Sequence, residues 1–128
     1  MTCSTQSLLQ ASERIGAIAN DEAVCRAGVS RAYYASYHCC RKYYASLPYL
    51  GRLIGNGVHE QLINSLCHPS DKLTINARAR SAAIGKYLRI ACTARVHADY
   101  TLDKPLAHEG MQEALLTAQT IFKACAAE

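Results

Sequence analysis

Long apolar runs are missing from this chain of 128 residues. No stretch approaches the roughly 18 to 20 apolar residues that a membrane-spanning helix needs. The first residues, MTCSTQS, are polar and lack a basic flank followed by an apolar signal core. Half of the residues are hydrophobic and 19% are charged, a balance typical of a soluble globular protein. We therefore expect one domain over residues 1–128, a cytoplasmic location and no membrane partner.

Cysteine spacing of the kind found in metal and redox sites is missing too. The chain has seven cysteines, an odd number, and no pair follows the CxxC pattern. Cys39 and Cys40 are neighbours whose side chains would point about 100° apart on a helix, so one metal ion could not bind both without ligands from elsewhere. Buried, reduced thiols of a cytosolic protein account for this pattern. We expect no metal and no cofactor.

Alternation of period two, which indicates β-strands, occurs nowhere, whereas apolar residues recur at helical spacing. A first helix is predicted from the N-cap Ser4 to near Asn20, and a second from Asp21 and Glu22 until Pro48 closes it. A short helix follows over residues 58–66, and a long one from about Ala77 to near Ala98. For the last helix, Asp103 resembles an N-cap with Pro105 in the first turn. The expected fold is all-α, an antiparallel up-and-down four-helix bundle with an additional short helix.

Acidic residues are absent from two long stretches of the sequence. Between Glu22 and Glu60 the charged residues are Arg26, Arg31, Arg41, Lys42 and Arg52; between Asp71 and Asp99 they are Lys72, Arg78, Arg80, Lys86, Arg89 and Arg95. If the two helices that carry most of them are neighbours, their facing edges create a positive field that attracts phosphate. The alternative is that these basic residues are solvated on separate faces.

The segment SRAYYASYHCCRKYY, residues 30–44, combines five tyrosines with basic residues and a histidine. Arg31 and His38 are seven residues apart, so they share one helix face about 10 Å apart along the axis. Tyr34 and Lys42 lie on the same stripe, whereas a second stripe, made of Tyr33, Tyr37 and Tyr44, is better suited to packing. The alternative for each tyrosine is core filling, and for His38 it is a satisfied interior position.

Three fragments resemble the HEPN domains, small all-helical proteins of bacteria and archaea. They are SRAYYASYHCCRKY at 30–43, GVHEQLI at 57–63 and ARVHADY at 94–100, and their order and spacing agree with the family over roughly residues 5–126. The family includes toxin ribonucleases and non-catalytic partners of minimal nucleotidyltransferases. The resemblance thus implies a HEPN-like helical domain that binds RNA or nucleotide, with an antitoxin or a nucleotidyltransferase as its partner.

Many HEPN ribonucleases carry an arginine, four to six residues and then a histidine, a spacing that Arg31 and His38 satisfy. Metal-free RNA cleavage needs a group that transfers protons near neutral pH and a guanidinium that stabilises charge on the phosphate. His38 would be the acid or base and Arg31 the clamp, and a homodimer would complete a composite site, as is common in the family. In the better-known toxins the motif lies near the end of the later helix, where Arg95 and His97 are separated by one residue.

The segment RVHADY, residues 95–100, allows two interpretations. In the structural one, Asp99 pairs with Arg95 at a spacing of four and Tyr100 anchors the loop by packing. In the functional one, Arg95 and His97 add phosphate contacts at the mouth of a basic groove, and Tyr100 resembles a tyrosine that receives nucleotides in related toxins. The candidate site comprises catalytic Arg31 and His38 and the RNA- or nucleotide-binding residues Tyr34, Lys42, Arg95, His97 and Tyr100. A non-catalytic binding module that docks a nucleotidyltransferase stays open as the alternative to a ribonuclease.

Overall fold

Five helices account for most of residues 2–127, the part of the chain that the computed structural model describes. They are α1 (Thr5–Ile18), α2 (Glu22–Ala45), α3 (Val58–Cys67), α4 (Ile75–Tyr100) and α5 (His108–Ala126). Residues 2–127 contain no β-strand, so the predicted all-α class is confirmed. None of these five helices combines the length and the apolar character that crossing a membrane requires.

Side-chain caps fix where three of the helices begin. The Ser4 hydroxyl accepts a hydrogen bond from the Ser7 amide at 3.0 Å, and the Asp21 carboxylate accepts one from Val24 at 2.9 Å, which confirms both predicted helix starts. Helix α4 begins at Ile75 and not near Ala77, because the Thr74 hydroxyl accepts from the Ala77 amide at 3.1 Å and so caps the helix earlier.

The predicted start of the last helix is wrong. Asp103 and Pro105 belong to the loop between α4 and α5, and α5 begins at His108 with Ala107 as an N-cap that offers no side-chain hydrogen bond. The physical reason is tertiary, since the side chain of Leu106 is buried and its amide donates to the Glu22 carboxylate at 3.0 Å. These contacts keep the segment out of the helix, although its composition favours a helix start.

Helix α2 lies at the centre of the fold and contacts each of the other four helices. The largest core cluster brings its tyrosines and Cys40 against α3, α4 and α5, and includes Tyr33, Tyr37, Tyr43, Leu66, Ile84, Leu88 and Ile121. Tyr33 and Tyr37 are only 1% and 7% exposed, so the packing role predicted for their stripe is confirmed. Burial of these large rings against aliphatic side chains is the main force that assembles the helices.

The two helices rich in basic residues, α2 and α4, are neighbours, as the predicted positive surface requires. Two of those basic residues nevertheless serve the fold. Arg26 is buried and donates to the backbone carbonyls of His97, Ala98, Thr101 and Lys104 at the end of α4, and it pairs with Glu22 at 3.4 Å. A cation here satisfies carbonyls that a helix end leaves without partners and complements the helix dipole.

Arg80 has the same role at the end of α5. Its guanidinium donates to the carbonyls of Ala124 at 2.9 Å and Cys125 at 3.0 Å and lies 5.1 Å from the centre of the Tyr43 ring. These contacts place the end of α2, the start of α4 and the end of α5 together. Arg26 and Arg80 must therefore be removed from the set of basic residues that the sequence assigned to a phosphate-attracting field.

Candidate functional site

Arg95 of α4 lies against an aromatic surface on α2. Its guanidinium carbon is 5.1 Å from the centre of the Tyr33 ring, 5.9 Å from Tyr34 and 5.6 Å from Tyr100. Such distances allow cation–π attraction, which is stronger where water is partly excluded. Arg95 is half-buried, its Nε has no hydrogen-bond partner within residues 2–127, and its only polar contact there is a long one of 3.9 Å to the Cys92 sulfur.

No carboxylate among the described residues, 2–127, neutralises Arg95. Within residues 2–127 the only ion pair joins Arg26 and Glu22. Asp99, predicted to pair with Arg95, instead accepts a hydrogen bond from the Ser30 hydroxyl at 3.1 Å, so that prediction is wrong. The reason is that Asp99 faces α2 near Ser30, whose hydroxyl supplies a hydrogen bond of its own. Arg95 therefore keeps its positive charge and most of its donors available.

Two histidines lie beside this aromatic surface. His59 of α3 accepts or donates a hydrogen bond at 2.7 Å between its Nδ1 and the Tyr33 hydroxyl, and its ring centre is 4.4 Å from that of Tyr37. His38 of α2 is exposed and packs edge-on against the same Tyr37 ring at 5.3 Å. We call the group formed by Arg95, Tyr33, Tyr34, Tyr37, Tyr100, His38, His59 and Arg31 the Arg95 cluster.

The charge states in the Arg95 cluster follow from its burial and its excess of positive groups. Burial, then the Arg95 guanidinium and His38, lower the pKa of His59, so its neutral form is favoured near neutral pH. Burial also raises the pKa of the Tyr33 phenol, which keeps that hydroxyl protonated. A hydrogen bond to this phenol fixes the orientation of the His59 ring, and when Nδ1–H donates to the phenol oxygen the neutral imidazole can accept a proton at Nε2.

Five of the seven predicted site residues meet in this cluster. Arg31 is exposed and its guanidinium carbon lies 5.0 Å from the Tyr34 ring, on which it stacks. Tyr34 thus lies between two guanidinium groups, those of Arg31 and Arg95. Tyr100 is 72% exposed, so the predicted anchoring of the loop by its packing is wrong, and its ring instead contacts Arg95 at the protein surface.

The structure does not bring the other two predicted residues, Lys42 and His97, into the cluster. Lys42 is exposed and borders an opening between the start of α1, the end of α2 and the end of α5, together with Thr5 and Phe122. His97 is 200° around the helix from Arg95, and its Nε2 is 3.2 Å from the Lys104 carbonyl in the loop after α4. Lys42 lies on the exposed side of α2, as the helical spacing predicted. At this end of α2, however, its neighbours belong to α1 and α5.

The outward side of α4 carries a second feature, a shallow groove of about 670 Å³. It is bordered by the side chains of Lys86, Arg89, Ile90, Thr93, Ala94 and His97. Ile90 is 57% exposed there, which is unusual for a large aliphatic residue in the middle of a helix. Within residues 2–127 this surface is covered by no other helix, because every bordering residue belongs to α4.

His59 and the packing of Tyr33 against it were missed by sequence reasoning. His59 belongs to the fragment GVHEQLI, but a helix of 10 residues gives little indication of which neighbour it will contact. The available signal was that a histidine sits in the first turn of a helix that follows a glycine-rich loop. Residues 2–127 contain no group of three or more histidine, cysteine or acidic side chains arranged to hold a metal ion, and all seven cysteines are free thiols.

Comparison with known proteins gave no relative. The chain matches no protein-family model, no curated protein and no solved structure.

Proposed function

We propose that this chain is a HEPN-like RNA-binding ribonuclease, the toxin of a toxin-antitoxin or defence module, which cleaves RNA without a metal ion. We also propose that α1, α2, α4 and α5 form the antiparallel up-and-down bundle of that family, with α3 as the additional helix. The observation that carries the functional proposal is the guanidinium of Arg95, which lies among three tyrosine rings and has no acidic partner in the described part of the chain, residues 2–127.

A half-buried positive charge is normally paired with an acid, because partial loss of water weakens its solvation. Arg95 has no such partner within residues 2–127, and Arg31 is stacked on the same Tyr34 ring. The ligand that suits two guanidinium groups on an aromatic surface is an anion with a flat group attached. A nucleotide has both, since its phosphate accepts hydrogen bonds from arginine and its base stacks on tyrosine.

The cleavage step needs one proton acceptor and one proton donor on opposite sides of a phosphodiester. The ribose 2′-hydroxyl loses its proton and its oxygen bonds to phosphorus, while the bond between phosphorus and the 5′-oxygen breaks and that oxygen takes up a proton. The products are a 2′,3′-cyclic phosphate and a free 5′-hydroxyl, which restricts the substrate to RNA. His38 transfers one of these protons, a group of the second protomer in the composite site transfers the other, and Arg31 and Arg95 stabilise the charge that develops on the phosphate.

The exposed groove on α4 supports a homodimer as the working form. Ile90 and the neighbouring apolar surface would be covered if two copies met through this face, and the same surface pairing with itself is the usual arrangement in dimers. Light scattering at micromolar concentration should give twice the chain mass of 14.0 kDa. Ile90→Lys should convert that species to a monomer, and a parent protein that is already monomeric would contradict the dimer.

Cleavage of RNA by purified protein in the presence of a chelator tests the proposed function. His38→Ala and Arg95→Ala should each lower the rate by about 10²- to 10⁴-fold, the usual range for loss of a proton-transferring or charge-stabilising group. Arg14→Ala is the matched control, because Arg14 is an exposed arginine on α1, which does not contact α3 or α4. Absence of chelator-resistant cleavage, or equal rates in all four proteins, refutes the ribonuclease.

The alternative function is a non-catalytic HEPN module that binds nucleotide or docks a minimal nucleotidyltransferase. The exposed phenol of Tyr100 beside Arg95 favours it, because a hydroxyl open to solvent next to a guanidinium is accessible to a nucleotide phosphate. Calorimetric titration with ATP distinguishes the two functions. The alternative expects binding that Arg95→Ala weakens, with no RNA cleavage by the parent protein.

A further inference from the structure

The aromatic surface holds two imidazoles within one protomer, whereas the sequence predicted only His38 on this face. His59 and His38 contact the same Tyr37 ring, at 4.4 Å and 5.3 Å between ring centres. Their own centres are thus no farther apart than those two distances added together. Two nitrogens that reach opposite oxygens of one phosphorus, each through a hydrogen bond of about 2.8 Å, are separated by up to roughly 9 Å. The upper limit on the distance between the two rings is thus compatible with both imidazoles contacting one phosphodiester.

His59 has the attachments expected of a positioned proton-transferring group. Its Nδ1 is 2.7 Å from the hydroxyl of Tyr33, a residue that is only 1% exposed and whose position is fixed by the core. A phenol can donate or accept, so this bond persists whether His59 is neutral or protonated. Its Nε2 has no hydrogen-bond partner within residues 2–127 and is not enclosed, which leaves that nitrogen available to a ligand.

The surroundings of His59 are predominantly positive or neutral. From α2 the rings of Tyr33, Tyr34 and Tyr37 pack against it, and the charge of His38 acts on it. From α4 the charge of Arg95 acts on it, and it shares an opening of about 220 Å³ with Arg89 and Cys92. The acidic group nearby is Glu60 of α3, whose carboxylate accepts the Asn56 amide at 3.2 Å. This arrangement favours the neutral form of His59, the form whose free ring nitrogen can accept a proton.

We propose that His38 and His59 of the same protomer hold one RNA phosphodiester between them, with His59 accepting the 2′-hydroxyl proton and His38 donating a proton to the 5′-oxygen. This inference rests on the proposed ribonuclease function and changes its geometry, because acid and base no longer come from two protomers. Tyr33 is then a positioning residue that holds the His59 ring. The dimer contributes stability or substrate reach, and each protomer has a complete pair.

Mixing two variants tests whether the pair lies within one protomer. His59→Gln retains a group that can hydrogen-bond to Tyr33, and it should lower the cleavage rate by about 10²-fold or more and remove the acidic limb of the pH–rate profile. When His38→Ala and His59→Gln are co-expressed, a pair within one protomer stays broken in every combination and activity is not restored. Restored activity, or a His59→Gln rate equal to that of the parent protein, overturns the inference while leaving the ribonuclease intact.

Binding of inorganic phosphate to the parent protein supplies a measurement that needs neither cleavage nor a variant. In a nuclear magnetic resonance titration, the Cε1 protons of His38 and His59 should shift with one common dissociation constant. Phosphate that shifts His38 alone overturns the shared site. If the parent protein cuts no RNA, the ribonuclease and the two catalytic roles fail together, and the phosphate titration still decides whether the two histidines form one binding site.

Discussion

Replacing Arg26 by methionine should destabilise the protein more than any other single change to its basic residues. Methionine fills a similar volume without donors, so the hydrogen bonds to four carbonyls at the end of α4 are lost. Three of those carbonyls keep another partner: His97 accepts from the Thr101 amide, Thr101 accepts from the Lys104 amide, and the Lys104 carbonyl lies against the His97 ring. Within residues 2–127 the Ala98 carbonyl is left without one.

The expected cost combines two contributions. An unsatisfied buried carbonyl costs about 1–3 kcal/mol, and loss of a cation at a partly buried helix end costs up to about 2 kcal/mol. Together they predict a loss of about 1–5 kcal/mol, compared with the roughly 5–15 kcal/mol that stabilises a typical domain. Arg41→Met on the same helix is the control, because Arg41 is exposed and should change stability by less than about 0.5 kcal/mol.

Urea unfolding followed by circular dichroism measures the difference between the two variants, provided that the slope of the transition is unchanged. A free energy of unfolding for Arg26→Met within about 1 kcal/mol of that of the control would refute the reasoning. Such a result would mean that water replaces the guanidinium at no net cost.

Three further predictions concern packing and pH. Gly85→Ala should lower the free energy of unfolding by about 1–3 kcal/mol, because the new Cβ would lie 2.8 Å from the Cys67 amide nitrogen. Gly110→Ala, whose Cβ meets nothing closer than 3.9 Å, should instead raise it by about 0.5–1 kcal/mol. Urea unfolding of both variants checks this. The Leu106 amide, together with Arg26, lowers the pKa of Glu22, so the stability that the Glu22 carboxylate contributes is complete above its ordinary pKa of 4.5 and is lost as the pH falls. The unfolding midpoint of Glu22→Gln should therefore depend less on pH in the acid range than that of the parent protein. An unchanged dependence contradicts the assignment. Because the pKa of His59 is lowered in the folded protein, the free energy of unfolding is fully retained above pH 6.5 and decreases as the pH drops below 6.5. Between about pH 7 and 5, the melting temperature of His59→Gln should therefore decrease less than that of the parent protein.

Local sequence features predicted the elements of this fold well, because they act over a few residues. The side chains of the caps Ser4 and Asp21 each accept a hydrogen bond from the backbone amide three residues later. The spacing of the tyrosines likewise places Tyr33 and Tyr37 in the core. The start of α5 could not be predicted in this way. Leu106 is held by Glu22, a residue 84 positions away, and such a contact leaves no local pattern.

The candidate site divides in the same manner. The common face of Arg31, Tyr34 and His38 follows from helical geometry alone, and the structure places all three on one side of α2. The position of His59 depends on how α3 packs against α2 and α4. Asp99 does not pair with Arg95 because its carboxylate accepts a hydrogen bond from Ser30. Both are tertiary contacts between residues far apart in the chain, which spacing within one helix does not reveal.

The hydrogen bonds of Arg26 should also affect the dynamics of the last turn of α4. The last turn of a helix usually frays, so its amides exchange with solvent through small local openings. Here the final turn of α4 is tied to the start of α2, and the Thr101 amide should exchange only when the two helices separate. Tyr100 projects into solvent from this turn, so its ring should be held on a backbone that frays less than an ordinary helix end.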